Sequence, residues 1–142
     1  MLTGGCLCGE VRYETDGEPS ARALCHCETC RRAHAAPMVG WFSVPRESFR
    51  LVSGEPKSFA SSPKVQRLFC PTCGAHVLFE DGRDPSSMEI ATTSLDDPES
   101  LPPQMHIWAT RKLDWVELDD GLPHHVEDSR SPLMYPEAGN PA

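Results

Sequence analysis

Seven cysteines are the residues of this sequence best suited to chemistry. They fall into three clusters: Cys6 and Cys8; Cys25, Cys27 and Cys30; and Cys70 and Cys73. A fully disulfide-bonded framework would leave one thiol over, whereas zinc sites accommodate seven thiols as a set of four and a set of three. The number and spacing of the cysteines therefore favour metal binding.

The segment at 70–74, with the sequence CPTCG, gives the strongest local signal of the three clusters. Pro71 fixes φ after the first thiol, and Gly74 permits a positive φ after the second. Such a turn directs both sulfurs toward one ion. We therefore predict that Cys70 and Cys73 are metal ligands.

Two ligands do not complete a tetrahedral zinc site, so this turn needs a second pair of thiols. Either Cys6 with Cys8 or Cys27 with Cys30 has a suitable spacing. The first pairing would leave Cys25 with its two neighbours as a compact trio, and it would account for every thiol. The spacing by itself does not choose between the two pairings.

The elements that must position these cysteines have the pattern of short β-strands. Alternating apolar and polar residues between Gly, Pro and Ser predict a mainly β protein with little helix. The predicted strands are residues 9–15, 21–27, 39–44, 49–53, 57–60, 66–69, 75–80, 88–93 and 106–109. The segment 27–34 alone favours a helix, of one or two turns.

The length of 142 residues is enough for one domain with a sizeable core. We expect this domain to span residues 4–121. Residues 122–142 are rich in proline and poor in large apolar side chains, and we expect a loosely docked or disordered tail there.

The net charge of −8 argues against nonspecific binding to nucleic acid or to an anionic membrane, because both partners are themselves negative. No run approaches the roughly 18 apolar residues that a membrane span requires. A secretory signal peptide has a basic segment followed by an apolar run, and the first residues contain neither of these. We therefore expect a cytoplasmic protein. In that reducing compartment, cysteine clusters are typical of metal or redox sites.

Four stretches occur in the order GGCLCGEVRYE, CHCETCRRAHAAP, FCPTCGAHVLF and MHIWATRKLDW. Together they closely resemble the glutathione-dependent formaldehyde-activating enzyme family, whose domain also occurs in centromere protein V. The likeness runs from Gly4 to about Trp115. It implies a zinc-stabilised β-tent fold of packed antiparallel sheets with at most a short helix, and two zinc ions per chain. The implied ligands are Cys6, Cys8, Cys70 and Cys73 for a structural zinc, and Cys25, Cys27 and Cys30 for a second zinc.

The resemblance also implies a zinc-dependent carbon–sulfur lyase. Such an enzyme forms or cleaves the adduct between a small thiol, such as glutathione, and formaldehyde or a related small carbonyl. A zinc with three protein ligands can accept a substrate thiol at its fourth position. The expected catalytic residues are Cys25, Cys27, Cys30 and, from the last stretch, His106.

Two other functions fit the same cysteines. The protein could be a binding module in which zinc has a structural role and no turnover occurs. Cys27 and Cys30 could instead form a thiol redox pair, although a third nearby thiol and the lack of a βαβ pattern count against that hypothesis.

Several polar residues near the clusters have both a functional and a plain interpretation. His26 could shuttle a proton, but strand alternation favours a side chain that faces away on the opposite side. His34 and His76 could each supply a fourth ligand or contact a ligand, but a histidine beside a zinc turn is more often only packed and hydrogen-bonded. Arg31 and Arg32 could bind an anionic substrate, although adjacent helical residues do not point the same way. The acidic run at 114–120 is most simply a solvated surface.

Overall fold

A computed structural model describes residues 1–134. Its ten strands and one α-helix form a mainly β protein with one sheet of three strands and one of seven, which confirms the predicted fold class. The strands are β1 (Leu2–Gly5), β2 (Arg12–Thr15), β3 (Ser20–Cys25), β4 (Val39–Pro45), β5 (Phe49–Ser53), β6 (Lys57–Ser62), β7 (Val65–Phe69), β8 (His76–Asp81), β9 (Ser87–Ala91) and β10 (Met105–Ile107). The helix α1 spans Glu28–His34.

Most predicted strands are present, with ends shifted by a few residues, and β5 has the predicted bounds. Strand β1 was missed, because its two glycines weaken the strand pattern. Strand β2 begins at Arg12 rather than at residue 9, since the preceding residues form a turn. The strand predicted at 106–109 ends at Ile107, because Trp108 adopts a left-handed conformation with φ of 51°.

The helix predicted at 27–34 is confirmed and begins one residue later, at Glu28. Cys27 is its N-cap, and the Cys27 sulfur accepts a hydrogen bond from the Cys30 amide at 3.3 Å. The helix ends at His34, and its C-cap Ala35 has φ of 49° and donates its amide to the Arg31 carbonyl. No helix within residues 1–134 is long and apolar enough to cross a membrane.

The chain divides into two compact units. The first contains Met1–Ser20 and Phe42–Leu101, and the second contains residues 21–41 with residues 102–134. The expected single domain at 4–121 and the expected tail at 122–142 stay predictions. The part of the tail at 135–142 lies outside the described residues.

The first unit holds most of the antiparallel strands. Its three-stranded sheet has the order β1-β2-β5, and strands β6 to β9 pair in sequence order. Buried residues from both groups of strands and from β4, including Tyr13, Ile90 and Phe42, form one apolar core. Cys6 and Cys70 belong to this core, so the strands that build it also fix the first cysteine cluster beside the third.

In the second unit, β10 pairs with β3 in parallel, and Ile107 lies opposite Cys25. The pairing continues past the end of β3, because the His26 amide donates to the Ile107 carbonyl at 3.0 Å. The segment between β3 and α1, which carries the second cysteine cluster, is thereby held against β10.

Candidate metal centres

Four thiols meet in the first unit. The sulfurs of Cys6, Cys8, Cys70 and Cys73 all lie within 4.8 Å of one another. The Cys6 and Cys8 sulfurs are 3.6 Å apart, and those of Cys8 and Cys70 are 3.8 Å apart. A tetrahedral zinc with Zn–S bonds of about 2.3 Å separates its sulfurs by about 3.8 Å. These four residues therefore fit a zinc ion with no open position.

Two turns of similar design carry these thiols. The Gly9 amide donates to the Cys6 carbonyl at 3.2 Å, and the Gly74 amide donates to the Cys70 carbonyl at 2.8 Å. Both glycines have positive φ, 81° and 77°, which confirms the prediction for Gly74. A Cβ at either position would meet no atom within 4 Å, so the backbone conformation rather than space requires glycine.

Main-chain amides favour the ionised form of two of these thiols. Burial opposes ionisation of Cys6, but hydrogen bonds from the Val11 amide, at 3.2 Å, and from neighbouring thiols outweigh it and lower the pKa of Cys6. The amide of Ala75 is the main cause that lowers the pKa of Cys73 to about 6. The pKa of Cys8 is instead raised to about 12 and that of Cys70 is also raised, because the hydrogen bonds from main-chain amides, which favour ionisation, are outweighed by burial and the neighbouring thiols. Thiolate is the form that binds zinc, so a cation would be needed to hold all four thiols in that form.

Three thiols meet in the second unit. The sulfurs of Cys25, Cys27 and Cys30 lie within 4.8 Å of one another. Cys25 ends β3, Cys27 caps α1, and Cys30 lies in the first turn of that helix. Within residues 1–134, no other histidine, cysteine or carboxylate joins this group. The trio therefore fits a metal ion that retains an open position.

The three thiols are too close to ionise independently. Hydrogen bonding with Cys27 and then with Cys30, together with burial, raises the pKa of Cys25 well above its usual range. A divalent cation offsets such crowding, because it neutralises two of the three thiolate charges. Cys25 and Cys30 are buried and Cys27 is half-buried, so the group is most accessible near Cys27.

The family model described as "Glutathione-dependent formaldehyde-activating enzyme" matches residues 1–111, which include all seven cysteines and His106. The chain belongs to this family. It is 31% identical over 84 residues to a protein of Schizosaccharomyces pombe named an uncharacterized lyase. That match covers 58% of this chain and 61% of the relative.

The fold of this family member is also similar to a crystal structure of a Rhodobacter sphaeroides protein. The TM-score is 0.57 and the identity is 21%, over 66% of this chain and 87% of the other. At that identity the likeness concerns the fold.

Two histidines of this glutathione-dependent formaldehyde-activating enzyme family member have packing contacts. The His34 ring meets Trp41 edge-on, with centroids 5.2 Å apart and an interplanar angle of 87°. The His76 ring stacks on Phe69 at 5.2 Å. Neither histidine belongs to a candidate metal-binding group of the described residues, so packing accounts for both better than metal binding does.

His26 and His106 form a buried hydrogen-bonded pair. The Nε2 atom of His26 is 2.8 Å from Nδ1 of His106, and Nε2 of His106 is 2.7 Å from Oδ2 of Asp120. The ring of His124 meets that of His106 edge-on at 4.8 Å. Burial is the main cause that lowers the pKa of His26 to about 4, and burial also lowers the pKa of His124. Both rings are therefore neutral at neutral pH.

Asp120 and His124 were missed by sequence reasoning. The sequence predicts that Asp120 lies on a solvated acidic surface, yet its carboxylate contacts His106. The sequence also places His124 in the predicted tail, yet this residue is only 8% exposed. A carboxylate followed four residues later by a histidine was the only local signal, and it is common by chance.

The two adjacent arginines differ in position, as the sequence predicted. The Nε atom of Arg31 donates to the His26 carbonyl at 3.2 Å, which places Arg31 against the segment that carries the trio. Arg32 instead pairs with Glu28 at 2.9 Å and is 80% exposed. Arg31 is thus the better candidate to contact a ligand at the three-thiol site.

Proposed function

We propose that this protein is a zinc-dependent, lyase-type enzyme that forms or cleaves the adduct between a small thiol, such as glutathione, and formaldehyde or a related small carbonyl. The observation that carries the proposal is the trio of Cys25, Cys27 and Cys30, whose sulfurs lie within 4.8 Å with no fourth candidate ligand in the described residues. The family description and the lyase name of the S. pombe relative support this class of reaction.

The proposed metal content is two zinc ions per chain. Cys6, Cys8, Cys70 and Cys73 would hold a structural ion, and Cys25, Cys27 and Cys30 would hold the second. When bound at the trio, zinc would lower the pKa of a thiol that occupies its remaining position. The proposed location is the cytoplasm, where thiol ligands stay reduced.

In the forward reaction, the sulfur of the substrate thiol forms a bond with the carbonyl carbon. The thiol proton leaves the sulfur, and the carbonyl oxygen takes up a proton to become a hydroxyl. The product is a hydroxymethyl thioether, and the reverse reaction breaks the same carbon–sulfur bond. No oxidant or reductant takes part, so the cysteines keep their oxidation state.

Arg31 is proposed to attract the carboxylates of a glutathione-like thiol. Its side chain is fixed beside the trio by the bond to the His26 carbonyl, whereas Arg32 is turned toward Glu28. Three thiolates around a divalent ion leave one net negative charge, which an anionic substrate must overcome. Arg31→Gln should therefore raise KM for glutathione several-fold, and Arg32→Gln is the matched control.

His106 is proposed as a positioning residue. It contacts His26, which lies between two ligands of the trio, and β10 pairs with β3 beside them. Loss of a partner bonded directly to a metal ligand lowers metal affinity about 10- to 100-fold. Because His106 contacts His26 rather than a ligand, a smaller loss of affinity is expected. His106→Gln should therefore release the second zinc to a competing chelator more readily, while the four-thiol site keeps its ion.

The deciding experiment follows the rate at which glutathione and formaldehyde combine and separate, measured by exchange NMR above the uncatalysed rate. The zinc-loaded protein should accelerate both directions. Cys30→Ser should reduce the rate to the uncatalysed level, because the trio loses a ligand, while circular dichroism should show an unchanged β spectrum.

Three results would contradict the proposal. Full activity after complete zinc removal would exclude a role for the metal. An absence of acceleration by the zinc-loaded protein would favour a binding module. Reversible formation of a disulfide at a defined potential, without zinc, would favour a redox pair.

A further inference from the structure

We propose that His106, Asp120 and His124 form a third metal site, which binds a divalent transition-metal ion through two imidazole nitrogens and one carboxylate oxygen. One ligand atom from each residue lies within 4.8 Å of the other two. Two histidines and a carboxylate are a common ligand set for zinc and iron in proteins. Asp120 and His124 lie outside residues 1–111, the part that the family model matches.

The first argument is an unpaired nitrogen. The Nε2 atom of His124 is buried and has no hydrogen-bond partner among residues 1–134. A buried polar atom without a partner is costly, and native proteins rarely leave one without a role. A metal ion bound at Nε2, which the proposal assigns as the His124 ligand atom, would provide the missing partner.

The second argument is the fixed orientation of the other two ligands. His106 is fully buried, and the contact between its Nδ1 atom and His26 directs its Nε2 atom to Asp120. The Oδ1 atom of Asp120 accepts the Leu122 amide at 3.1 Å, which leaves Oδ2 for the site. Metal-binding histidines are typically oriented in this way by a contact at the other ring nitrogen.

The distances require a small adjustment on binding. The His106 and Asp120 ligand atoms are 2.7 Å apart. Metal bonds of about 2.0–2.2 Å in a tetrahedral arrangement place ligand atoms roughly 3.4 Å apart. The Asp120 side chain, which is 36% exposed, can make this shift toward solvent. Its exposure also provides a path by which the ion enters.

Charge and ligand chemistry define the kind of ion. Imidazole binds a metal in its neutral form, so two imidazoles and one carboxylate would bring a single negative charge to the ion, which suits a divalent cation. Imidazole favours zinc, iron, nickel and copper, whereas magnesium and calcium prefer oxygen ligands. Because this site has no sulfur, it differs chemically from both cysteine sites.

The test counts metal ions on the full-length protein. Zinc is exchanged for Co²⁺, and bound cobalt per chain is measured by elemental analysis alongside the absorption spectrum. Cobalt bound to thiolates gives strong sulfur-to-metal charge-transfer bands, whereas a nitrogen and oxygen site gives weak d–d bands alone. The wild type should bind a third equivalent that adds d–d absorption without any further charge-transfer intensity.

Substitutions locate the third equivalent. Asp120→Asn and His124→Gln should each bind one ion fewer, with unchanged charge-transfer bands. Asp119→Asn and His125→Gln are the matched controls, because they change the neighbouring residues of the same types, and both should bind as many ions as the wild type. Circular dichroism checks the fold of each variant, and Asp120→Asn decides the result if His124→Gln does not fold.

The proposal is overturned if the wild type shows both thiolate sites loaded and takes no further ion. In that case Asp120, His106 and His26 are a metal-free hydrogen-bonded chain. It is equally overturned if Asp120→Asn still binds the third equivalent. A missing charge-transfer band would instead contradict the zinc assignment of the cysteine sites, so the two proposals fail in distinguishable ways.

Discussion

The four-thiol and three-thiol sites bring cysteines together over very different lengths of chain. Cys8 and Cys70 are 62 residues apart, and their sulfurs meet at 3.8 Å. Cys25, Cys27 and Cys30 lie within six residues and need one strand end and one helical turn. A metal at the first site closes a long loop, and a metal at the second constrains a short one. A metal at the first site would therefore tie distant segments of the chain together, whereas a metal at the second would constrain one local segment.

The surroundings of the two sites agree with this contrast. Cys6 and Cys70 lie in the apolar cluster of the first unit, among buried residues such as Val11 and Leu78. The trio instead borders a polar network, since His26 between its ligands is bonded to His106. Loss of the first site would disturb the core, whereas loss of the second would disturb a local polar region.

The largest expected effect distinguishes the two sites directly. Cys73→Ser should unfold the protein, because structural zinc contributes on the order of 10 kcal/mol and net stabilities are about 5–15 kcal/mol. Cys27→Ser should keep the fold, since it removes a ligand from the local site. Far-UV circular dichroism and urea unfolding of both variants measure the difference. If Cys27→Ser unfolds as fully as Cys73→Ser, the comparison is wrong.

A second prediction concerns alkaline unfolding of the first unit. Burial is the main cause that raises the pKa of Tyr13 to about 12, from about 10 in an unfolded chain. As the pH rises, the Tyr13 phenol loses its proton in the unfolded state before it does so in the folded state. The free energy of unfolding is therefore unaffected by this group below pH 10 and falls as the pH rises toward 12. The loss should reach about 2–3 kcal/mol.

Guanidinium unfolding of the wild type and Tyr13→Phe at pH 8 and pH 11 provides the measurement. Phenylalanine loses the bond to Ser94, which lies at 2.6 Å, so the variant should be less stable at pH 8. The difference in unfolding free energy between the wild type and the variant should be smaller at pH 11. Ionisation of the phenol destabilises only the wild type, because the variant has no phenol. A difference that stays constant would show that Tyr13 is not protected from ionisation.

The smallest predicted changes in the free energy of unfolding come from two residues whose backbone is in the left-handed conformation, one beside each site. Gly74 has φ of 77°, and Ala35 after α1 has φ of 49°. Gly74→Ala should destabilise by about 1–2 kcal/mol, because a side chain is disfavoured in this conformation. Ala35→Gly should stabilise by up to about 1 kcal/mol for the converse reason, less the added entropy of the unfolded chain.

Thermal unfolding of both variants tests the signs of these effects. Ala36→Gly is the matched control, because Ala36 is not among the positive-φ residues, and it should not stabilise. A stabilising effect of Ala36→Gly as large as that of Ala35→Gly would refute the conformational explanation.

Much of the fold was predictable because its signals are local. Alternating residues predicted most strands, with β5 placed at its observed bounds, and the turn signal after Cys73 predicted the conformation of Gly74. Strand β1 escaped prediction, since a short strand with two glycines forms through its pairing with β2 rather than through its own propensity.

The sequence by itself determined the three cysteine clusters, the turn at 70–74 that is typical of zinc sites, the short helix and the mainly β character. Each of these features is encoded within a few neighbouring residues. The sequence left open which pair joins Cys70 and Cys73; the family resemblance implied Cys6 with Cys8, and the tertiary structure brings those four sulfurs together. Tertiary structure alone placed Asp120 and His124 beside His106. Such meetings depend on strand pairing and core packing between distant segments, which the spacing of residues along a chain does not specify.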